Sequence, residues 1–74
     1  MHERVLISYA SDADVAALDA ALRRAGAASV APIESLPDTL LVSVEAGDAD
    51  AFVAHAAGLT GVRHAERDRM RYSS

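Results

Sequence analysis

The chain has 74 residues, a net charge of -4 and no cysteine. That length holds one domain, and mild acidity weighs against a general nucleic-acid binder. The lack of thiols excludes disulfides, thiolate metal sites and cysteine nucleophiles. No apolar run reaches membrane length, so no membrane partner is expected. The hydrophobic content of 51% overstates the core, because roughly a quarter of the residues are alanine, which buries little area. The substantial core formers are Val5, Ile7, Val15, Leu18, Leu22, Val30, Ile33, Leu40, Val42, Val44, Phe52, Val53, Leu59 and Val62. A core of that size supplies about 3–5 kcal/mol of net stability, so the domain is expected to lean on a partner.

Along the chain, RVLISY (4–9) is short, β-branched and apolar on both faces, the pattern of a central strand. SDAD follows, with Ser11 as expected N-cap and Asp14 closing a capping box. Val15, Leu18, Leu22 and Ala25 then recur at helical spacing. Acidic residues come early in this helix and Arg23 and Arg24 late, which complements the helix dipole; Gly26 is the stop signal. ASVAPI (28–33) is a weaker strand, and Pro32 assigns it to a sheet edge. ESLPD (34–38) supplies a turn. TLLVSVE (39–45) is a strand with Leu40, Val42 and Val44 on one face and Leu41, Ser43 and Glu45 on the other. Asp48 starts a second helix with Phe52, Ala56 and Leu59 as its buried stripe, and Gly58 and Gly61 end it. The last strand runs from about Val62 toward Tyr72.

The order β-α-β-β-α-β predicts an α+β fold, a ferredoxin-like sandwich of one four-stranded antiparallel sheet with two helices on one face. The other face is then open, with Leu41 on it, and an uncovered apolar sheet face is a candidate interaction surface. Conventional chemistry finds little support. His2, His55 and His64 fall on separate elements, so no metal site is expected. A Ser-His-Asp hydrolase needs a cavity that Ala-rich helices do not build, and no glycine-rich phosphate loop is present. The domain is expected to be neither an enzyme nor a cofactor carrier.

Four of the seven basic residues, Arg63, Arg67, Arg69 and Arg71, crowd into GVRHAERDRMRYSS (61–74). Strand alternation puts these arginines on one side, and His64, Glu66, Asp68, Met70 and Tyr72 on the other. Two carboxylates side by side suit Arg/Lys side chains or the free N–H groups of helix N-termini. Alternating charge that keeps an edge strand from aggregating is the other reading of the same residues.

RVLISY, the Ala-rich helix ending in RRAG, DTLLVSVEAGD and LTGVRHAERD together resemble the propeptides of subtilisin-like serine proteases and their small stand-alone inhibitor relatives. The last segment is similar to the family ending L-P-G-V-x-x-V-E-x-D, with Thr60 for Pro and Ala65 for Val. The resemblance implies a ferredoxin-like domain whose open face packs on two parallel protease helices. Glu66 and Asp68 would cap the N-termini of those helices. The tail 69–74 would lie in the active-site cleft like a product, making the domain a folding chaperone and competitive inhibitor. The implied protease-binding residues are Leu41, His64, Glu66, Asp68, Met70, Arg71, Tyr72, Ser73 and Ser74. Arg71 departs from the pattern, since the family places an apolar residue fourth from the cut.

Both carboxylates are expected to face solvent in a free, monomeric domain. MHERVLISYA opens as a strand and not as a leader, so the expected setting is cytoplasmic for a stand-alone inhibitor and extracellular for an excised propeptide. The alternative reading is a regulatory module of the same fold that binds a small ligand or dimerises, since this fold hosts many functions.

Overall fold

The structure, a computed structural model, describes residues 1–68. The elements run β1 (His2–Tyr9), α1 (Val15–Arg24), β2 (Ser29–Pro32), β3 (Thr39–Glu45), a 3-10 turn (Ala46–Asp48), α2 (Ala49–Ala57) and β4 (Val62–Arg67). The sheet order is β2-β3-β1-β4, with every neighbouring pair antiparallel. β1 and β3 are central, and the proline-bearing β2 lies at an edge, as the sequence predicts. This is the α+β sandwich expected from the order of elements.

One layer of side chains holds the fold together. Val5 and Ile7 of β1 and Leu40, Val42 and Val44 of β3 are buried in a cluster with Leu18 and Leu22 of α1 and Ala49, Phe52 and Ala56 of α2. Val30, Val53, Leu59 and Val62 pack on its margin and remain half-buried. Val15 is a correction: it is exposed at the first position of α1, and the helix buries only Leu18 and Leu22.

The start of α1 is a second correction. Asp14, not Ser11, is the N-cap; its side chain accepts from the Ala17 amide at 3.1 Å. Asp12 and Ala13 precede it in a bend closed by the Ala13 amide on the Ala10 carbonyl. Both residue types cap well, and the bend at Ala10–Ala13 delays the first helical turn to Val15, which leaves Asp14 in the cap position. The other end follows the sequence signal closely. Gly26 adopts φ +122, its amide donates to Arg23, and the Ala27 amide reaches back to Leu22. That pair of reversed bonds is a Schellman stop, and it turns half-buried Ala27 onto the core.

β4 carries an irregularity that alternation does not anticipate. Ser8 pairs with His64, but Tyr9 pairs with Val62, so Arg63 is the extra residue of a β-bulge. Strict alternation would put Val62 on the same face as His64 and Glu66. The bulge instead lets Val62 pack on the core while His64 and Glu66 stay on the other face. Gly61, at φ +91, precedes the bulge; its carbonyl accepts from the Ala10 amide.

Candidate functional site

The helices leave one face of the sheet uncovered, and strand register decides what that face presents. Ala31 of β2 stands opposite Leu41 of β3, Leu41 opposite Leu6 of β1, and Leu6 opposite Glu66 of β4. Cross-strand partners share a face, so these four residues form a row across all four strands, apolar for three positions and ending in a carboxylate. Leu6 and Leu41 are half-buried and Ala31 is exposed. A second row runs beside it: Ser29 opposite Ser43, Ser43 opposite Arg4, and Asp68 held next to Arg4 by its amide on the Arg4 carbonyl at 2.8 Å. On the other flank Ser8 lies between Thr39 and His64.

The predicted pairing of Glu66 and Asp68 on one face therefore holds, but their environments differ. The Glu66 side chain is 57% exposed, and its Oε1 lies 3.3 Å from Nε2 of His64 on the same strand. The Asp68 side chain is only 17% exposed, and Oδ2 lies 3.5 Å from Arg4 Nε. The expectation that both carboxylates face solvent is corrected for Asp68. Arg4 is a site residue that sequence reasoning missed. Alternation places it on the Leu6 face, yet only the β1–β4 register brings it to Asp68.

On the helix-covered side of β4, Arg67 projects toward β1 and α2. Its Nε and Nη2 donate to the two carboxylate oxygens of Glu3 at 2.8 and 2.9 Å, and Nη1 donates to Asp50 Oδ1 at 2.7 Å. These contacts, Asp50 foremost, push the Arg67 guanidinium pKa further up. Arg67 thus departs from the role of a free basic residue. Among the remaining predicted site residues, Leu41 and His64 lie on the open face, whereas Met70, Arg71, Tyr72, Ser73 and Ser74 lie outside the described residues.

Other features are modest. Among the described residues no three His, Asp or Glu side chains come together as metal ligands, and no helix is long and apolar enough to cross a membrane. A cleft of about 480 Å³ opens between the end of α1 and α2, lined by Gly26, Val44, Phe52 and two exposed ionisable residues, Asp48 and His55.

The domain is thus a two-layer α+β sandwich whose bare sheet face combines an apolar row with the carboxylates of Glu66 and Asp68. The family profile described as the fervidolysin N-terminal prodomain matches residues 1–68, and the chain belongs to that family, a propeptide family of subtilisin-like proteases. No curated protein and no solved structure matches the chain. Membership supports a regulatory, propeptide-type role in association with a subtilisin-like protease.

Proposed function

We propose that this single domain inhibits a subtilisin-like serine protease and assists its folding, docking through the open sheet face. The row Ala31–Leu41–Leu6–Glu66 carries this reading: a bare apolar strip that ends in an exposed acceptor. Leu6 and Leu41 supply apolar contact for a helical surface. Glu66 and Asp68, with His64 beside them, accept from free N–H groups at helix N-termini, where the dipole favours negative charge. The tail 69–74, including Met70, Arg71, Tyr72, Ser73 and Ser74, then enters the cleft as an extended strand pairing with its walls. The domain performs no chemistry of its own and is monomeric when free.

The test is a titration of subtilisin with the 74-residue chain, following hydrolysis of a small chromogenic peptide. Submicromolar inhibition competitive with the peptide is expected. If the native chain is silent, Arg71→Leu discriminates: gained inhibition assigns the mismatch to the tail, and continued silence, with no binding by calorimetry, overturns the docking reading.

A further inference from the structure

We propose that Arg67 is the positioning residue that sets where the C-terminal tail leaves the domain. This deepens the docking reading and rests on it. β4 is an edge strand, and the last residues of an edge strand fray unless something ties them down. Here the tie is double. On the covered side the Arg67 guanidinium forms a two-pronged fork with Glu3 of β1 and a third bond to Asp50 at the start of α2. On the open side the next residue, Asp68, is held to Arg4 by its amide and its carboxylate. Two consecutive residues are thus fastened on opposite faces of the sheet.

The fork requires arginine. Its planar donors match both oxygens of Glu3 while a third nitrogen reaches Asp50, and the point charge of lysine cannot span that geometry. Nothing in the core demands such a contact: Arg67 and Glu3 are each about one-third exposed, and Asp50 is largely exposed. What the contact does is hold the end of β4 against β1 and α2, which on the docking reading fixes the point from which the tail starts. A tail with a fixed origin reaches a cleft at higher effective concentration than one hung from a frayed strand.

The test compares two forms of subtilisin, one with its cleft open and one with the cleft filled by a covalent peptidyl chloromethyl ketone, which leaves only body docking. Binding of the full chain, Arg67→Met and Arg67→Lys is measured by calorimetry at a temperature where circular dichroism shows each folded. Both variants should weaken binding to the open form about 5- to 30-fold, the factor carried by ordering one residue's backbone. Binding to the filled form should stay within about twofold. Equal losses on both forms, or no loss on either, overturn the proposal. A native chain that binds neither form overturns the docking reading itself. Amide exchange at Asp68, read by NMR without any protease, should accelerate in Arg67→Met while exchange in β3 is unchanged; an unaltered Asp68 rate refutes the clamp. Should Arg67→Met fail to fold, Asp50→Ala removes only the exposed leg and gives the same reading.

Discussion

The Arg4 guanidinium lies 3.5 Å from the Asp68 carboxylate across the β1–β4 pair, whereas Glu66, two residues earlier on the same face, meets the His64 ring at 3.3 Å and no other charged side chain among the described residues. The two carboxylates of the docking strand are therefore unequal before any partner arrives. Glu66 keeps an exposed carboxylate, and Asp68 is already engaged within the domain.

That inequality separates the effects of removing each one. Glu66→Ala should leave the melting temperature nearly unchanged and weaken protease binding. Asp68→Ala should weaken binding and also cost stability. The lost pair is partly exposed, so the cost is about 0.5–1 kcal/mol, which lowers the melting temperature of a domain this small by about 3–6 °C. Thermal denaturation followed by circular dichroism, beside calorimetric titration of subtilisin, measures both. Equal melting temperatures for the two variants would show that the Arg4–Asp68 contact contributes nothing.

Gly61 should tolerate no side chain. Its φ is +91, and a Cβ there would lie 3.1 Å from Ala13 Cβ in the bend before α1. Gly61→Ala should cost about 1–3 kcal/mol from the backbone conformation, with steric displacement added. Gly47→Ala is the control, since a Cβ at that position meets nothing within 4 Å. Paired thermal melts should show a large loss for the first and little change for the second. Adding Ala13→Gly to Gly61→Ala should recover only the steric part.

The two sheet faces should answer differently to truncation. Leu22 is fully buried, and Leu22→Ala should cost about 2–5 kcal/mol, as much as the whole net stability expected at this size. The free variant should be largely unfolded by circular dichroism and regain structure when subtilisin is added, because a partner that binds only the folded state pulls the equilibrium. Leu41→Ser, on the open face, should keep the fold and lose affinity.

Acid sensitivity should carry a signature of Glu45. The Met1 ammonium, 3.1 Å away, holds the Glu45 carboxyl below its ordinary value of 4.5 by hydrogen bonding and charge, with His2 adding to the effect. A carboxyl whose pKa is lower folded than unfolded contributes stability above the unfolded value, and that contribution is lost as pH falls through the folded one. Below pH 4.5, the slope of stability against pH should flatten in Glu45→Gln. Acetylating the amino terminus should flatten it in large part but not fully, since His2 still acts on Glu45, as chemical denaturation at a series of pH values would report. The Glu45 side chain is largely exposed, so the change should be small.

Much of this protein was legible in its order of residues. The periodicity of Leu18 and Leu22, the alternation of Leu40, Val42 and Val44, Pro32 at an edge and Gly26 at a helix end each depend on local geometry. A helix repeats every 3.6 residues and a strand every two whatever surrounds them, so these features predicted the elements, the sheet edges and the sharing of a face by Glu66 and Asp68. The helix start was less legible, because Ser11 and Asp14 are both good caps and only the bend at Ala10–Ala13 decides between them.

What the sequence by itself determined, then, is which residues point to which side of each element. Only the tertiary structure decided which of them meet. The Arg63 bulge that turns Val62 inward, the row from Ala31 to Glu66, the pairing of Arg4 with Asp68 and the fork of Arg67 on Glu3 and Asp50 all depend on the register between strands far apart in the chain. Register is set by the summed packing of the whole core and by a one-residue bulge, and no local pattern encodes that sum.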